Sequence, residues 1–122
     1  MKRTNELTRA ELQVMNILWD IRKGTVAEVL EHYPEPRPAY NTVLTFLRIL
    51  KEKGFVTSEA AGKQHRFCPV ILRGEYTRNY MRNVKDSLFR GSATDLVNFF
   101  VKEENLSAEE IDELIALLRK NE

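Results

Sequence analysis

The chain has 122 residues, 43% of them hydrophobic, and 19 Lys/Arg against 18 Asp/Glu leave a net charge of +1. That length suits about one ordinary domain with a core. No apolar run is long enough to cross a bilayer, so membrane insertion is not expected, and the single cysteine, Cys68, excludes an internal disulfide. The opening Met1-Lys2-Arg3-Thr4-Asn5-Glu6 turns polar where a secretion signal needs an apolar stretch, so a cytoplasmic protein is expected. Near-neutral overall charge argues weakly against a nucleic-acid partner, but the distribution is uneven. Residues 1–70 hold 11 Lys/Arg and 8 Asp/Glu, whereas residues 71–122 hold 8 and 10. The first part is therefore the candidate for touching phosphates.

Leu7-Thr8-Arg9-Ala10-Glu11-Leu12 reads as a helix start. Thr8 can cap, Glu11 completes a capping box, and Leu7 and Leu12 can form a hydrophobic staple. Leu12, Met15, Leu18 and Trp19 share a face, and the helix is predicted to run to about Asp20 with Gly24 as its stop. Thr25-Val26-Ala27-Glu28 repeats the box and predicts a short helix to about His32, burying Val29 and Leu30. Pro34, Pro36 and Pro38 then forbid regular helix and predict a stiff, extended connector.

A third helix is predicted from about Tyr40 to Lys53, ending at Gly54. Val43, Phe46, Leu47 and Leu50 form its apolar stripe. Asn41, Thr45, Arg48 and Glu52 lie opposite, with Thr42 and Leu44 on the flanks. Phe55–Glu59 and Gln64–Cys68 read as two strands joined by a turn at Ala61-Gly62-Lys63 and closed by Pro69. Three helices followed by a hairpin is the order of a winged helix-turn-helix. The remainder is helical. Residues 73–89 carry Tyr76, Tyr80, Val84 and Leu88 at four-residue spacing, and Gly91 breaks the pattern. Ser92 with Asp95 can start a fifth helix holding Leu96, Val97, Phe99 and Phe100. Leu106-Ser107 with Glu110-Ile111 opens a sixth, with Ile111, Leu114, Ile115 and Leu118 on one side.

The predicted fold is thus mainly α: a winged helix-turn-helix over residues 1–70 and a three-helix region over residues 71–122. Three short helices cannot easily bury so many apolar faces alone. A two-fold partner copy is the economical solution, with Tyr76, Tyr80, Val84, Leu88, Leu96, Phe100, Ile111, Leu114 and Leu118 as the candidate dimer contacts. The alternative is a tail folded back on the winged helix of a monomer.

A recognition helix must bring short polar groups to base edges in the major groove, N-terminal turns first. Asn41 can pair with adenine, and Thr45 can bond a base or touch a thymine methyl, as can Leu44. Arg48 can reach guanine or a phosphate. Tyr40 and Thr42 can bond phosphate near the helix start. In isolation the same pattern also fits a solvated helix face; its place between a short helix and a hairpin favours DNA. On the hairpin, Lys63, His65 and Arg66 are candidates for contact with the duplex backbone, or else solubilising charge on an exposed edge. Arg9, Lys2 and Arg3 are weaker candidates. No His/Cys/Asp cluster has ligand spacing and no glycine-rich loop could cradle phosphates, so no enzyme, metal or cofactor is expected. A protein-interaction module is the alternative, since winged helices also serve as docking scaffolds.

The run Asn41-Thr42-Val43-Leu44-Thr45-Phe46-Leu47, then Lys53-Gly54-Phe55-Val56, then Phe67-Cys68-Pro69, resembles the penicillinase-repressor family of the BlaI/MecI/CopY type. Glu11 to Trp19 resembles its first helix, and Phe89-Arg90-Gly91 and Leu106-Ser107 through Leu114 resemble its tail. The resemblance implies a bacterial repressor that binds a palindromic operator in double-stranded DNA as a homodimer, with the winged helix on DNA and the tail holding the dimer. In β-lactam-responsive members a membrane sensor protease cuts the repressor in its tail. Such members carry an Asn-Phe bond ahead of the Leu-Ser helix start. Here Asn98-Phe99 is present, while Phe99-Phe100 takes that place when Leu106-Ser107 is aligned, so either bond is a candidate. Copper-sensing members carry a cysteine-rich end; here Arg119-Lys120-Asn121-Glu122 has none.

Overall fold

A computed structural model describes residues 6–122; Lys2 and Arg3 lie outside the described residues. The elements in chain order are α1 (Arg9–Ile21), β1 (Gly24–Thr25), α2 (Val26–Glu31), α3 (Tyr40–Glu52), β2 (Val56–Ala61), β3 (Gln64–Pro69), α4 (Arg73–Leu88), α5 (Ala93–Glu103) and α6 (Ala108–Lys120). The chain is mainly helical, and its first part is a winged helix-turn-helix. Contacts divide it into two units, one ending at Arg78 and the other spanning Asn79–Glu122.

In the first unit the helix starts are local chemistry. Thr8 and Thr25 each accept a backbone N–H bond three residues on, and Glu11 and Glu28 return the favour to the cap backbone, closing both capping boxes. The end of α1 differs from expectation. Arg22, at φ 78°, is the left-handed residue that stops the helix. Gly24 instead enters a short strand opposite Phe67, where an added Cβ would meet Ile21 Cδ1 at 2.8 Å. The sheet has the order β1-β3-β2, all antiparallel. The hairpin turns at Gly62, whose φ of 67° suits the first position of a two-residue turn between Ala61 and Gln64.

The core gathers Val14, Met15, Ile17 and Leu18 of α1, Val26 and Val29 of α2, Val43, Leu47 and Leu50 of α3, and Phe55, Val56 and Phe67 of the wing. Fully burying each such leucine or valine contributes about 1.5–3 kcal/mol. This stripe sets the rotation of α3 and so decides which of its residues face outward. Phe46 and Leu12, expected on the buried stripes, are only half-buried. Tyr76, expected as a dimer contact, belongs to this unit. Its ring lies 5.9 Å from Phe55 and 6.1 Å from Trp19, and its hydroxyl accepts from the Leu7 backbone N–H at 3.0 Å. The four-residue spacing gave it the same face as Tyr80, but the first turns of α4 lie against the winged-helix core.

The second unit has no buried side chain in α5 or α6. Phe89 and Phe99 meet at 5.5 Å. Ser107 and Glu110 close a third capping box. Tyr80, Leu88, Phe100 and Leu118 are exposed, and Val84, Leu96, Ile111 and Leu114 are half-buried. An apolar groove of about 640 Å³ runs between the helices, lined by Met81, Leu96, Val97, Phe100, Leu114 and Leu117 among others. Among the described residues no helix is long and apolar enough to cross a membrane.

Candidate nucleic-acid interface

Burial of Val43, Leu47 and Leu50 turns Asn41, Thr45 and Arg48 to solvent and leaves Leu44 half-buried at the edge. The Thr45 hydroxyl donates to the Asn41 carbonyl at 2.9 Å. That bond uses its proton, so the oxygen can serve a further partner only as an acceptor. The start of α3 differs from those of α1 and α2: Ala39 is the cap residue and makes no side-chain bond to the first turn. With no side chain on it, the positive end of the helix is open to an anion. No acidic residue lies in that first turn.

The wing stands beside this helix. A cleft of about 330 Å³ lies between them, lined by Tyr40, Leu44 and Arg48 of α3 and by Lys63, Gln64, His65 and Phe67 of the wing. Five residues singled out from the sequence therefore share one surface: Tyr40, Leu44, Arg48, Lys63 and His65. Asn41 and Thr45 lie outside the cleft on the exposed ridge of α3. Two expected contacts are placed apart. Arg66 pairs with Glu59 and Thr25 in the sheet and does not line the cleft; along β3 it alternates with His65 and Phe67. Thr42 lines a different cavity of about 470 Å³, shared with Gln13, Arg37, Phe46 and the proline connector.

The polar cleft residues Lys51, Ser58 and Gln64 were missed from the sequence. Lys51 and Ser58 both line it, and the Lys51 ammonium donates to Ser58 Oγ at 2.8 Å, joining the last turn of α3 to β2. Lys51 was legible in principle. It follows Tyr40, Leu44 and Arg48 by eleven, seven and three residues, which is one stripe of a helix. Ser58 was not, because its approach to Lys51 is tertiary.

At the foot of α3, Lys53 forms an ion pair with Glu11 at 2.7 Å, with only 14% and 7% of the two side chains exposed. Burial alone would raise the Glu11 carboxyl. The hydrogen bond from Lys53, that from the Thr8 backbone and the lysine charge outweigh burial and hold it below the usual carboxylate range. The pair ties the end of α3 to the start of α1.

A sequence model of the family described as penicillinase repressor matches residues 7–120. The chain belongs to the penicillinase repressor family. Among its relatives is the methicillin resistance regulatory protein MecI of Mammaliicoccus sciuri, 28% identical over 119 residues and 97% of each chain. MecI of Staphylococcus aureus strain N315 is 27% identical over the same coverage. The penicillinase repressor of Bacillus licheniformis is 25% identical over 122 residues, 99% of this chain and 95% of that one. Repressors of this family are transcriptional regulators rather than enzymes. In this penicillinase-repressor chain no group of three or more His, Cys, Asp or Glu side chains could hold a metal among the described residues.

Proposed function

We propose that this chain is a sequence-specific repressor that binds a palindromic operator as a homodimer in the cytoplasm, with α3 in the major groove and the wing along the flanking backbone. The observation that carries this is the polar ridge of Asn41, Thr45 and Arg48 beside a wing that presents Lys63 and His65. A protein-docking winged helix would need an apolar patch where α3 exposes these three polar side chains.

Dimerisation rests on the second unit. Leu88, Phe100 and Leu118 are 73%, 56% and 59% exposed, and such apolar area calls for cover. A second copy would supply it and bring the second half-site contact. The first unit is only mildly basic, so bivalency supplies affinity that charge alone would not. Relief by a membrane sensor protease would act on this coupling. Asn98, Phe99 and Phe100 are exposed on α5, and cutting either bond there would separate α6 from the rest of the tail.

The test is a gel-shift series on operator DNA. Asn41→Ala and Thr45→Ala should each weaken specific binding by about 1–3 kcal/mol with the fold intact. Both variants binding like the parent would remove α3 as the reading helix.

A further inference from the structure

The cleft between α3 and the wing is lined by charge of one sign. Arg48, Lys51 and Lys63 line it, and no Asp or Glu does. Among the described residues none of these three cations has a carboxylate within ion-pair distance. Three uncompensated cations facing one space of about 330 Å³ favour an anion there. Two of the three come from the helix and one from the wing, so an anion in the cleft would be held from both sides.

Lys51 is the unusual member. A surface lysine ordinarily samples many rotamers and loses that freedom when it binds. Here its ammonium is already held by Ser58 Oγ at 2.8 Å. One of its three N–H donors is used in that bond, which leaves two. Ser58 accepts from Lys51 and so retains its own O–H to donate. The two side chains form a small preassembled donor set at the side of the cleft.

We propose that the cleft seats one phosphodiester of the DNA strand passing between α3 and the wing, and that Lys51, held by Ser58, is a direct ligand of that phosphate. This rests on the DNA-binding reading and adds to it a residue of the last turn of α3, beyond the turns that face the bases. In this arrangement α3 contributes twice: the ridge at Asn41 and Thr45 reads sequence, while Lys51 grips the backbone and fixes register.

The experiment uses the full chain and a labelled mixed-sequence DNA duplex, with affinity measured over a range of salt concentrations. Each phosphate contact adds about 0.9 to the slope of log K against log salt. Lys51→Met should lower that slope by about this amount for each chain bound, and Lys51→Arg should restore it. Ser58→Ala should weaken binding at every salt concentration while keeping the parental slope, since the charge remains. Thermal melting of the variants checks the fold separately. A parental slope in Lys51→Met, with parental DNA binding intact, overturns the proposal. A reduced slope that Lys51→Arg does not restore also overturns it, because a phosphate ligand needs the charge. If the parent chain itself fails to bind the duplex, the DNA reading fails instead.

Discussion

Replacing Glu11 by Gln tests how far the position of α3 depends on one buried charge pair. The Gln side chain can still accept from the Thr8 backbone N–H, so the capping box is largely kept, but the Lys53 ammonium loses its counterion at 2.7 Å. Removing one partner of a fully buried pair costs about 3–5 kcal/mol. With 14% of the lysine side chain exposed, some water can reach it, and the retained cap lowers the cost further. The expected loss is therefore about 2–3 kcal/mol, below that range. Trp19 is the only tryptophan and lies in the winged unit, so its fluorescence follows unfolding of that unit. In urea, such a loss should move the midpoint down by about 1–2 M for a slope typical of a small domain. The pH dependence has a definite sign. The carboxyl is depressed in the folded chain, so its contribution is complete above the unfolded carboxylate value, about 4.3. It is lost as pH falls through the lower folded value. The parent should thus lose the advantage over Glu11→Gln in acid and keep it at neutral pH. Equal urea midpoints at pH 7 would refute the reasoning. So would a double-mutant cycle with Lys53→Met that gave no coupling.

Two further outcomes follow from the wing and the tail. Lys63→Ala should weaken binding to all DNA sequences alike and reduce the salt slope by about 0.9 per chain; an unchanged slope in a fluorescence titration would take Lys63 out of the contact set. Phe100→Asp with Leu118→Asp should convert an assembly of twice the 14.2 kDa chain mass into single chains in sedimentation velocity, since both side chains are exposed apolar groups of the second unit. A parent that already sediments as a single chain at micromolar concentration would remove the dimer from the proposal.

What the sequence determined by itself is the local part of this protein. The capping boxes at Thr8, Thr25 and Ser107 involve residues three apart, so helix starts were legible from a few positions. The glycine of the wing turn was legible in the same way. The period of α3 also gave its outward face correctly, because Val43, Leu47 and Leu50 are buried by the same hydrophobic effect that patterned them. The order of three helices and a hairpin carried the fold class. Periodicity alone misplaced Tyr76, since it reports which residues share a face and not what that face meets.

Only the tertiary structure decided which surfaces come together. It recruited Gly24 into a third strand against Phe67, and alternation along β3 then separated Arg66 from His65. It buried Glu11 against Lys53, forty-two residues away. It also set Lys51 against Ser58 between the helix and the wing. Each of these depends on the angle at which two elements pack, and that angle is set by the shape of the whole core rather than by any window of sequence. Sequence thus chose the polar ridge of α3, and packing chose the cleft beside it.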